Sequence, residues 1–149
     1  MVKKPHPVAV KFASGLLTVP LLVGCSPLAE EDHYAVAVGS DRDFAGLELR
    51  SVFVVTAAEG KPGRLLGTIF NTTGEDVGLV IADTDEEVPV SVPAGGRVEF
   101  DSSPTLLQST EARPGARTDL TLRVRGDTVT LDVAVVDGTL DQYAPYVPR

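Results

Sequence analysis

PGARTDLTLRVRGDTVTLDVAVV, residues 114–136, reads as a strand, a tight turn and a second strand. Leu120, Leu122 and Val124 alternate with Thr121, Arg123 and Arg125. Val129, Leu131, Val133 and Val135 do the same against Thr130, Asp132 and Ala134. A period of two gives each strand one buried and one wet face. The turn read between them, Gly126-Asp127, leaves no room for a crossover, so the pair must be an antiparallel hairpin. Pro114-Gly115 marks the turn that precedes it.

Working outward, the same texture extends back to Leu47. Runs of Val, Leu, Ile and Thr predict strands near 47–57, 64–71, 77–83, 87–92 and 97–101, besides 118–125 and 128–136. Gly, Pro, Asn and Asp separate them, with Pro93-Ala94-Gly95-Gly96 the clearest turn. No run after the N-terminal segment has a sustained 3.6-residue apolar period, so substantial helix is not expected. About seven short strands over 47–137 predict an all-β fold, an immunoglobulin- or cupredoxin-like β-sandwich. Trp is absent and only 5% of residues are aromatic, so Val, Leu, Ile and Ala must build the core. Residues 138–149, with Pro145 and Pro148, read as an irregular tail. Residues 25–46 read as a flexible tether, although Tyr34–Val38 is apolar enough for a short strand.

The first 24 residues have another character. Lys3, Lys4 and Lys11 precede an apolar stretch from Phe12 to Gly24, too short to span a bilayer comfortably. Leu22-Val23-Gly24-Cys25 resembles the bacterial lipobox and holds the only cysteine in the chain. That resemblance implies cleavage after Gly24 and lipidation of Cys25, and hence an anchor in the cell membrane on its extracytoplasmic face. One cysteine excludes an internal disulfide. The three lysines are the only charged groups before Cys25, so the remainder carries 10 basic against 21 acidic groups, a net −11. Such a surface repels phosphate backbones, and nucleic acid is not expected as a partner.

Residues that could do chemistry are sparse. After Cys25 the one histidine is His33, in the acidic tether, so no Ser/His/Asp or Cys/His constellation can be built on the sandwich; paired carboxylates stay open as an alternative, but none stands inside an apolar strand, and no enzyme is expected. Asp132, the carboxylate most nearly inside a strand, falls on the outer face by alternation. Asp83, Asp85, Glu86 and Glu87 form the densest acidic run; they read as a solvated turn, with hard-cation binding as the alternative. Arg125-Gly126-Asp127 spells an adhesion tripeptide, but a hairpin needs a turn there. Asn71-Thr72-Thr73 matches a glycosylation acceptor and reads as the turn after a strand, Asn71 and Gly74 supplying the backbone freedom.

Three segments carry a wider resemblance. GTIFNTTGEDVGLV (67–80), VPVSVPAGGRVEF (88–100) and the 114–136 hairpin are similar to segments of the PCuAC periplasmic copper chaperones. The resemblance spans about 47–137 and implies a cupredoxin-like sandwich. That family binds copper through Met and His, including a His-x-Met unit just after the Gly-Gly strand. Here the region reads Pro104-Thr105-Leu106-Leu107-Gln108-Ser109, with no Met after Met1 and no His after His33. Cu(I) selects soft thioether and imidazole donors, so the resemblance carries over no copper site and no cofactor is expected. The chain resembles small actinobacterial lipoproteins with this fold and without the ligands. The resulting expectation is a non-enzymatic binding or accessory module whose partner is an envelope or membrane protein.

Overall fold

The computed structural model describes residues 39–149, and within them the short apolar runs form nine strands. These are β1 (Ser40–Phe44), β2 (Leu47–Thr56), β3 (Gly63–Asn71), β4 (Val77–Ala82), β5 (Glu87–Val92), β6 (Arg97–Glu99), β7 (Thr105–Leu107), β8 (Arg117–Val124) and β9 (Asp127–Val136). Residues 1–24, read from sequence as a signal segment, Cys25 and the stretch 34–38 lie outside the described residues.

Strand order is β5-β4-β8-β9-β2-β3-β6, with β1 added to β2 and β7 to β3. All pairings are antiparallel except β2–β9, a parallel step of two residue pairs, Val54 with Val135 and Val55 with Val136. That step joins two sheets into a nearly closed cupredoxin-like sandwich. The alternation of the 114–136 hairpin is realised: Leu120, Leu122 and Val124 face inward with Leu131, Val133 and Val135. They meet Leu49, Val54, Leu65, Ile69, Leu79, Ile81 and Phe100 in one core. Burying each such aliphatic side chain stabilises the fold by about 1.5–3 kcal/mol.

Four details differ from the sequence reading. The hairpin turn is centred on Arg125-Gly126, because Val124 pairs with Asp127. Both turn residues are left-handed (φ 52° and 96°), as a two-residue hairpin with right-handed strand twist requires. The supposed tether already contains β1, whose middle residues are exposed and charged and so give no alternating signal. β7 was missed for a similar reason, since three residues are too few to show a period. The tail is irregular but docked: a 3₁₀ turn at Ala144–Tyr146 follows Tyr143, whose ring meets Phe53 edge-on at 5.4 Å.

One distortion organises the sheet edge. Between Arg50–Thr68 and Phe53–Leu66, Ser51 and Val52 together face Gly67, a β-bulge. Ser51 sits at φ 53°, and its N–H donates to Asp41 Oδ1 at 2.7 Å. Gly67 answers with φ 120°, and a Cβ there would lie 2.8 Å from Ser51 O and 2.9 Å from Arg50 O. Gly67→Ala is therefore expected to cost about 1–3 kcal/mol from backbone conformation alone, with the collision adding to it. A denaturant midpoint indistinguishable from the parent would refute this.

Candidate functional site

Antiparallel strands collect the loops at two ends of the sandwich. At one end lie the 71–76 loop, the Pro93–Gly96 turn and the tip of the β8–β9 hairpin. Asn71 joins the first two. Its side chain is 3% exposed, and its Nδ2 donates to Glu75 O (2.7 Å), Val92 O (3.0 Å) and Pro93 O (3.1 Å). Its Oδ1 accepts the Thr73 N–H at 2.9 Å. The side chain is spent on structure, so the glycosylation pattern offers no free acceptor in the folded domain. Neither Asn71 nor Gly74 has positive φ, which corrects the expectation that they supply backbone freedom. The adhesion tripeptide lies at the exposed hairpin tip: Arg125 pairs with Glu75 at 3.0 Å, Gly126 makes the turn, and Asp127 opens β9.

The opposite end holds the acidic run, between β4 and β5. Asp83 Oδ1 accepts the N–H groups of Asp85 (3.0 Å) and Glu86 (3.1 Å), closing a tight turn. Glu86 Oε1 accepts the Gln108 N–H, which ties the turn to the segment after β7. Glu87 turns away to pair with Arg123 at 2.5 Å. Thr84 Oγ1 donates to Glu111 Oε2 at 2.8 Å. Asp83, Asp85 and Glu86 line a cleft of about 200 Å³ with Gln108, Ser109 and Glu111. Glu111 is a member of this end that sequence reading missed, because 24 residues separate it from Glu87 and only β7 brings it round. Among the described residues no group of three or more His, Cys, Asp or Glu side chains is arranged to hold a metal ion. The four predicted carboxylates are not gathered on one point: one closes its own turn, one is exposed, one holds Gln108 and one holds Arg123.

The segment that lacks the His-x-Met unit borders this cleft. Thr105 and Leu107 of β7 turn into the domain, Leu106 is 46% exposed, and Gln108 and Ser109 reach the cleft. From residue 39 onward the sequence contains no His, Met or Cys, so this end offers only hard oxygen and amide groups. Elsewhere, Arg50 is held above its ordinary range by its hydrogen bond to Asp43, an exposed structural pair. Asp132 takes Arg117 at 2.6 Å, on the outer face as expected.

No family model matches the chain, and no curated protein matches it. Among solved structures it is similar to the copper-bound PCuAC domain from PmoF2, with a TM-score of 0.52 and 16% identity. The likeness covers 65% of this chain and 97% of that one. The fold is thus PCuAC-like, a cupredoxin-type β-sandwich. A copper site of soft donors does not fit residues 39–149, which contain no Met, His or Cys.

Proposed function

We propose that this chain is a lipid-anchored, extracytoplasmic accessory module: a PCuAC-type sandwich that has lost copper coordination, kept its scaffold, and binds a protein of the membrane or envelope without catalysing a reaction. One observation carries the reading. A PCuAC-like fold is combined with Pro-Thr-Leu-Leu-Gln-Ser at 104–109 and with no soft ligand from residue 39 to 149. A scaffold without ligands or a histidine-based catalytic group still presents loops and sheet edges, which are sufficient for protein contact.

The lipobox-like Leu22-Val23-Gly24-Cys25 supports the anchor. From Cys25 to Ser40 a fully extended chain spans at most about 50 Å. Attachment at Cys25 would hold the sandwich in a thin layer at the membrane, where even weak contacts are occupied through effective concentration. Cys25→Ala is expected to leave an unprocessed precursor and to abolish globomycin-sensitive maturation. Normal processing and undiminished membrane attachment would refute the anchor.

The module reading is tested by pull-down of tagged full-length protein from detergent-solubilised native membranes, against a tagged unrelated lipoprotein. Enrichment of one envelope complex is expected; none above the control overturns the accessory role. In parallel, Cu(I) titration in competition with a tight chelator should show no stoichiometric uptake by the mature chain. A saturable one-to-one site would overturn the loss of copper coordination.

A further inference from the structure

A sandwich strand normally buries one face, yet every residue of β2 from Val52 to Thr56 is buried. The inward face belongs to the main core. The outward side chains Phe53 and Val55, with Leu66 of β3 and Ala134 and Val136 of β9, form a second apolar cluster. Its cover is the C-terminal segment: Tyr143, 7% exposed, with Tyr146 and Val147. Tyr143 stacks edge-on against Phe53, and the Arg64 guanidinium lies 5.0 Å over the Tyr146 ring.

This cover is attached unlike any strand. Its backbone hydrogen bonds close on itself: Tyr143 and Ala144 N–H donate to Leu140 O at 2.8 and 3.2 Å, and Tyr146 N–H donates to Tyr143 O at 2.9 Å. Among the described residues no backbone hydrogen bond ties residues 138–149 to a sheet. The segment is compact: a Cβ on Gly138 would lie 2.7 Å from Val147 Cγ2 and 3.2 Å from Ala144 Cα. Its flanks are open. A groove of about 320 Å³ runs beside Pro114, Val136, Leu140 and Tyr143, and another of about 280 Å³ beside Arg64, Leu106 and Tyr146. Side-chain packing alone holds the segment, and its departure would break no ladder bond.

We infer that residues 138–149 form a detachable strap, and that the face beneath it is a docking surface for the same strap from a second copy of the chain. An apolar face of this kind is costly to leave in water. The strap of a second copy brings the same two tyrosines and valine, so exchange needs no new contacts. It carries one acid and one base, Asp141 and Arg149, and so adds no net charge to the approach of two acidic domains. The hinge is at Asp137-Gly138, immediately after β9, where the Asp137 carboxylate accepts the Thr139 N–H at 2.9 Å.

The test uses the full chain in detergent and a fluorescent peptide of residues 138–149. In hydrogen exchange on the unmodified protein, the amides of Tyr143, Ala144 and Tyr146 should exchange about 100-fold faster than those of Leu122 and Val133, through an opening insensitive to low denaturant. The peptide should bind the chain saturably. Tyr143→Ala in the chain weakens the internal competitor and should tighten peptide binding about tenfold. The same substitution in the peptide should abolish it. Strap amides that exchange only with global unfolding, or a peptide that binds neither chain, would overturn the proposal. So would loss of cooperative melting in the Tyr143→Ala chain, because the strap would then be part of the fold.

Discussion

Asn71→Asp should destabilise the domain by about 3–5 kcal/mol at neutral pH, the range for a buried charge left without its partner. The substitution keeps size and shape and replaces one N–H donor group with oxygen. Nδ2 now serves Glu75 O, Val92 O and Pro93 O, all acceptors. An ionised carboxylate there would face three carbonyl oxygens with no proton to offer. Its neutral form would be favoured in the folded state, so its folded pKa would lie above the ordinary carboxylate value. The penalty is therefore present above that folded pKa and shrinks as pH falls toward the unfolded value, about 4. Thermal melts at pH 7 and pH 4 check this. The variant should lie far below the parent at pH 7 and recover part of the deficit at pH 4. Parallel losses at both pH values would show that the amide protons are not what holds the two loops.

Phe100→Ala should be of similar size, about 3–5 kcal/mol, as for large-to-small changes at fully buried aromatic sites. Phe100 is the largest side chain with no exposure, and the other buried members of its cluster are Leu, Ile and Val. It lies just beyond β6, where its N–H donates to Gly67 O at 3.0 Å. The backbone is pinned beside the bulge, and neighbouring aliphatic side chains cannot move in to fill the void without disturbing β3. A lowering of the melting temperature by roughly 10 °C or more is expected. A shift of a degree or two would mean that the core collapses around the gap. Phe100→Leu, which keeps most of the volume, should recover much of the loss.

Much of the scaffold was legible from local pattern. The alternation in 114–136 determined the hairpin and its inward face, and the five earlier strands were placed within a few residues of their observed ends. Turn chemistry located the Pro114-Gly115 turn and the Pro93–Gly96 turn, where Gly96 N–H closes on Pro93 O at 2.9 Å. Where local pattern was thin, reading failed: β1 has only Phe44 to pack on the core, beside three exposed charged residues, and β7 is three residues long. The hairpin turn was set one residue late, because Gly126-Asp127 and Arg125-Gly126 look alike until the Val124–Asp127 pairing fixes the register.

The sequence by itself determined the all-β class, the inward face of the 114–136 hairpin and the absence of soft copper donors from the sandwich, since all three follow from residue identity and spacing. Only the tertiary structure decided the rest. The Ser51 bulge exists because Gly67 leaves space on a different strand. Asn71 becomes a knot because Val92 and Pro93 arrive beside it from 21 and 22 residues away. Glu111 joins the acidic cleft through β7, and the outward half of β2 is apolar because a tail more than 80 residues downstream returns to cover it. Each depends on what lies across a gap in space, and a period along the chain reports only which way a side chain points.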